Sequence, residues 1–260
     1  MEGLSPSLLL TAVTVAFLHT VTGPDHYVPF VALAKARNWT MRRTLWVTGI
    51  CGLGHVLSSL VLGGVGVALG VALGALESVE GHRGDVAAWA LFGIGIAYGL
   101  WGLRQALRRR EGHSHLLQFH RHEHTHDGVA HSHAHDHGPG PGHGSGQGHD
   151  HTHGNVVLPA GGAEVRRQTT FWALFIVFVL GPCEPLIPLF MVPASERQWG
   201  AACVLGAAFG VVTLATMLTI TALGVYGMAR LPLGGLQRWV HALAGGMIAT
   251  SAGAVLFLGL

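Results

Sequence analysis

The chain has 260 residues, of which 50% are hydrophobic and only 11% charged, with a formal net charge of +2. Soluble domains carry about 25% charged residues, so this composition excludes an ordinary soluble domain, and the small net charge excludes a nucleic-acid binder. Cys51, Cys183 and Cys203 form no close-spaced pair, which excludes a disulfide framework and a cysteine-knuckle zinc site.

The first apolar run covers residues 7–34. Met1-Glu2 lacks the basic start of a signal peptide, so the run reads as a retained helix. It is interrupted by Leu18-His19-Thr20-Val21-Thr22-Gly23-Pro24-Asp25-His26. An ionisable side chain at bilayer depth costs at least about 2.5 kcal/mol on insertion scales and therefore marks a site. Pro24 cannot donate to the carbonyl of Thr20, and Pro29 cannot donate to that of Asp25. Loosened backbone at this depth is tolerated only inside protein or beside a wet cavity. Two imidazoles and a carboxylate next to such a break suit a cation, with Thr20, Gly23 and Pro24 as supporting residues. Imidazole favours nickel, cobalt, zinc or copper.

The second run, 44–76, is glycine-rich and longer than the about 20 residues a crossing needs, so it should tilt or bend. It carries His55 in Gly54-His55-Val56-Leu57-Ser58-Ser59, a third imidazole in apolar surroundings. Glu77, Glu80, His82 and Asp85 then read as a solvated turn before a third run at 86–107.

Residues 111–168 form a connection whose stretch 113–153 holds 14 of the 19 histidines. His120, His122, His124, His126, His131, His133, His135 and His137 alternate with small or polar residues. With almost no apolar side chains, the segment is expected to be disordered. Such a tract binds late transition metals in many geometries and suits buffering or delivery. A cytoplasmic metallochaperone is a candidate partner.

The fourth run, 170–192, contains Gly181-Pro182-Cys183-Glu184-Pro185-Leu186-Ile187-Pro188. Like Gly23-Pro24-Asp25-His26-Tyr27-Val28-Pro29, it has Gly-Pro, an acid, and a proline four residues after the acid. The fifth run, 200–229, offers Thr213 and Thr216 as outer donors, with Cys183 as another supporting group. The sixth spans 236–259. Thirteen of the fifteen Lys and Arg residues lie on the odd-numbered connections, which places those connections in the cytoplasm and both termini outside. The expected fold is therefore an all-α polytopic membrane protein of six transmembrane helices. Residues 1–110 and 169–260 form two inverted three-helix repeats with broken first and fourth helices. Paired breaks of this kind point to a transporter's central site. His19, Asp25, His26, His55 and Glu184 are the expected ligands. Asp25 and Glu184 are also candidates to exchange protons for metal.

The His…Asp-His motif of the first run, the Gly-His of the second and the Cys-Glu-Pro-Leu-Ile-Pro of the fourth resemble the nickel/cobalt transporter superfamily. The resemblance is to its short six-span, urease-accessory or nickel-efflux-like branch, and covers both halves apart from the histidine-rich connection. It implies transport of Ni²⁺ or Co²⁺ in a bacterial inner membrane, with no permanently bound cofactor and no enzymatic activity. Zn²⁺ stays open as cargo. Five residues separate His19 from Asp25-His26, one more than the family's usual spacing, so His19 joins a site only if the helix unwinds at Gly23-Pro24. The Gly-Pro-Cys stretch also looks like membrane thiol–disulfide electron carriers, which would need a second reactive cysteine. A sulfite-type anion exporter is the other alternative, against which Asp25 and Glu184 speak.

Overall fold

The structure, a computed structural model, describes residues 5–111, 120–126, 129–135, 161–181, 183–232 and 234–259. Ser5 opens the first helix: its Oγ accepts from Leu8 N (3.2 Å), and Pro6 takes the first helical position, where no amide donor is needed. Helix α1 (Pro6–Thr22) stops at the glycine–proline pair, a 3₁₀ turn covers Pro24–His26, and α2 (Val28–Ala36) resumes. Thr40 caps α3 (Met41–Ala68) by accepting from Arg43 N at 3.3 Å. A tight connection follows, with Gly70 at φ 66, a conformation that favours glycine. Helix α4 then runs from Leu73 to Glu111.

Strands β1 (His120–His126) and β2 (Val129–His135) pair antiparallel. Composition alone predicts no regular structure there. The alternation of histidine with other residues has the two-residue period of a strand. Asp127-Gly128, which separates the strands in sequence, is a pair favoured in two-residue hairpin connections. The second half begins with α5 (Gly161–Leu180), is interrupted at residues 181–185, and resumes as α6 (Leu186–Ser195). Helix α7 (Trp199–Arg230), a 3₁₀ turn (Gly234–Trp239) and α8 (Val240–Leu258) complete the chain.

Among the described residues, four helices are long and apolar enough to cross a membrane: Met41–Ala68, Leu73–Arg108, Trp199–Arg230 and Gly234–Leu258. Leu10, Phe17, Trp46, Val61, Val211 and Phe257 are exposed on the outer surface. Apolar outer surface on long helices is what hydrocarbon solvates. The chain is thus an integral membrane protein whose described residues are helical outside the short hairpin. Its interior gathers Phe30, Phe178, Met217, Leu91 and Ile248, with the Phe30 and Phe178 ring centroids 4.7 Å apart.

Two expectations about α4 and its neighbour need correction. Helix α3 ends at Ala68, and α4 begins at Leu73 rather than near 86. Glu77, Glu80, His82 and Asp85 are therefore helical, and Glu80 is fully buried. Low local hydropathy suggested a turn, but an acid and a base three residues apart also suit a helix. Helix α8 packs closely along α4. A Cβ on Gly95 of α4 would lie 2.5 Å from Ala249 N of α8, so the two backbones meet there without side chains between them.

Candidate metal centre

The break between α1 and α2 shapes the site. Gly23 N donates to His19 O (3.1 Å), closing α1, and His26 N donates to Gly23 O (3.1 Å), forming the 3₁₀ turn. This unwinding brings His19 to His26 despite their spacing: their ring centroids are 4.9 Å apart. His55 of α3 approaches from the other side, 5.1 Å from His26 between centroids. His26 and His55 are buried and His19 is half-buried. One ligating nitrogen from each of the three rings lies within 4.8 Å of the other two. Three nitrogens on one ion, each at about 2.1 Å, lie about 3.4–3.6 Å from one another, so each ring must move inward by about 0.7 Å to complete a three-imidazole set.

The partners of the other ring nitrogens orient this set. His26 Nδ1 faces Gly23 O (3.1 Å) and Asp25 Oδ1 (3.0 Å). His55 Nδ1 faces Phe178 O at 3.3 Å. A carbonyl oxygen only accepts, so each Nδ1 carries the hydrogen and each Nε2 presents its lone pair. The Nε2 atoms of His19, His26 and His55 are all buried without a hydrogen-bond partner. Unsatisfied buried polar atoms are costly and uncommon, and three pointing into one site suit an incoming electrophile.

Phe178 O is itself a product of the second break. Residue 182 is proline and has no N–H to offer that carbonyl, so His55 takes the place of the missing donor. The proline that follows α5 in sequence thereby fixes the tautomer of a histidine in α3.

The remaining sequence candidates fall in different places. Asp25 reaches the centre through His26 and also lines its cavity. Glu184 lies outside the three-histidine group: it is exposed, and its Oε1 is 4.0 Å from the Cβ position of Gly81 on α4. Thr20 is buried, but its Oγ1 donates to Ala16 O of its own helix at 2.8 Å. Cys183 is buried in an apolar cluster with Ala16, Val56, Leu186 and Phe209. Thr213 and Thr216 are buried on α7, and Thr213 Oγ1 has no partner. Pro24 opens the 3₁₀ turn. The strand histidines pair by register, His120 with His135, His122 with His133 and His124 with His131. His137 lies outside the described residues.

The three histidines line a cavity of about 440 Å³ together with Asp25, Asp85, Glu184 and Gly259. Its carboxylates favour a cation. Gly23 is required by close approach, since an added Cβ would lie 2.5 Å from His26 Nδ1. Gly23→Ala is therefore expected to displace the ring and weaken metal binding about tenfold, within the range for losing a ligand's supporting partner. Titration of the purified chain with Co²⁺ would measure this.

Glu80, which reads as part of a solvated turn in the sequence, pairs instead with Arg83 beside the second break. Their spacing was the available signal. Comparisons of the chain with protein-family models, with curated proteins and with solved structures found no match.

Proposed function

We propose that the chain carries a divalent transition-metal ion, Ni²⁺ or Co²⁺, across the membrane through the three-histidine centre. The observation that carries this reading is the convergence of three buried, unpartnered imidazole nitrogens at a helix break within a bundle of apolar helices. Neutral imidazoles suit Ni²⁺, Co²⁺ and Zn²⁺ alike. The resemblance of the motifs to the nickel/cobalt transporter superfamily selects the first two.

Helix packing supports two inverted three-helix halves with six spans. Taking α1–α2 and α5–α6 as broken spans, α1 packs on α7 as α5 and α6 pack on α3. Likewise α2 packs on α8 as α5 and α6 pack on α4. The pairs α3–α7 and α4–α8 each join equivalent spans. Rocking of one half against the other would expose the centre alternately to each side. The basic residues orient the odd-numbered connections to the cytoplasm, where the histidine-rich segment would buffer metal or pass it to a chaperone. All three cysteines are free, and Cys51 and Cys183 are buried, which counts against a thiol–disulfide carrier. The acidic cavity wall counts against an anion exporter.

Purified chain in lipid vesicles is expected to give saturable Ni²⁺ or Co²⁺ flux that His55→Ala reduces more than tenfold. Equal flux through the variant would refute the centre, and sulfite flux without metal flux would refute the cargo.

A further inference from the structure

Glu80 and Arg83 lie outside the three-histidine group, yet they touch the fourth-span break on both sides. Glu80 Oε2 accepts from Cys183 N (3.3 Å) and from Ser59 Oγ (3.2 Å), and Ser59 Oγ also accepts from Cys183 N at 3.3 Å. Arg83 Nη2 donates to Val179 O (2.6 Å) and to Ser58 Oγ (3.0 Å). The two side chains are joined by an Arg83 Nη1 to Glu80 Oε1 ion pair.

In an unbroken helix the N–H of Cys183 would donate to the carbonyl of Val179, four residues earlier. Here Glu80 takes the donor half of that bond and Arg83 the acceptor half. An ion pair from the third span has replaced one backbone hydrogen bond of the fourth, and anchors it to the serines of the second. The adjacent carbonyl, Phe178 O, is the one that receives His55 Nδ1.

We propose that Glu80 and Arg83 are positioning residues for the metal centre: they hold the fourth-span break open so that Phe178 O fixes His55 with Nε2 facing the ion. This deepens the proposed function and rests on it for the identity of the centre. The pair touches no ligating nitrogen, so its influence travels through Val179 and Phe178 to His55. When the pair separates, Cys183 N–H and Val179 O are free to re-form their own bond. Phe178 O then turns away from α3, and His55 loses the partner that selects its tautomer. The pair is also a natural place for the second and third spans to grip or release the fourth during transport.

The test reads His55 directly. In the metal-free chain labelled with ¹⁵N-histidine, with His55 assigned by its loss in His55→Ala, the His55 signal should report the Nδ1–H tautomer. Arg83→Gln should move that signal toward a mixture with Nε2–H and weaken Co²⁺ affinity about tenfold or more. Arg83→Lys keeps a charge for Glu80 but has one head group for three acceptors, so it should show a smaller change in the same direction. It also serves if Arg83→Gln does not fold. Glu80→Gln should behave as Arg83→Gln does. A lowered melting temperature with the wild-type tautomer and affinity would make the pair merely structural and overturn the proposal. So would a wild-type tautomer and affinity in Arg83→Lys. Failure of the underlying reading looks different: wild-type chain would bind no Co²⁺, whatever the tautomer of His55.

Discussion

His26→Ala is expected to weaken Co²⁺ or Ni²⁺ binding more than about 100-fold, beyond the 10–100-fold typical of losing a partner of a ligand. Three consequences combine. The variant removes the central imidazole, the ring that approaches both His19 and His55. Two imidazole nitrogens remain, one from α1 and one from α3. It also deprives Asp25 Oδ1 and Gly23 O of the Nδ1 donor they share. An ionised Asp25 then faces the cavity without its hydrogen-bond partner and draws cations without orienting them. Weak, poorly selective binding should replace tight binding. Calorimetric titration with Ni²⁺, Co²⁺ and Ca²⁺ would separate the two behaviours. Asp25→Asn should fall between the variant and the wild type, since the amide oxygen keeps an acceptor for Nδ1 but loses the charge. Affinity in His26→Ala within tenfold of wild type would remove His26 from the centre.

The second large effect concerns the fold. Gly245 of α8 lies against Gly99 of α4, where a Cβ would overlap Gly99 N and Cα and lie 2.7 Å from Gly95 O. The obstructing atoms are backbone, so no rotamer change relieves them. Gly245→Leu is expected to cost about 3 kcal/mol or more, at the upper end of overpacking penalties. It should appear as loss of folded protein in detergent. The neighbouring Gly246 has nothing within 4 Å of its Cβ position. Gly246→Leu therefore adds the same volume on open surface and should change stability by less than about 0.5 kcal/mol. Similar losses from both variants would mean that leucine itself is poorly tolerated in α8, and would refute the close α4–α8 contact.

Much of the centre is legible in the sequence because proline acts locally. Gly23-Pro24 and the Gly181–Pro185 stretch announce their breaks through missing N–H groups, and the structure interrupts the helices there. The three histidines stand out because apolar segments seldom carry ionisable groups. What depends on distant neighbours is not legible. Glu80 looks like part of a solvated turn until α4 is placed against a break 100 residues later. Thr20 looks like a donor toward the centre, but its hydroxyl turns back to Ala16 O. The glycines of α8 suggest close packing without saying that the partner is α4 of the same chain.

Helix α4 has one more consequence. Its 39 residues, at about 1.5 Å each, make a rod about 58 Å long, nearly twice the thickness of a bilayer's hydrocarbon core. Near one end it carries Glu80 and Arg83 and a wall of the cavity, and its far end leads into the histidine-rich segment. It has the proportions of a lever. A change in tilt of about 10° would carry its tips about 10 Å relative to each other. One continuous helix thus joins the break to the start of the histidine-rich sequence.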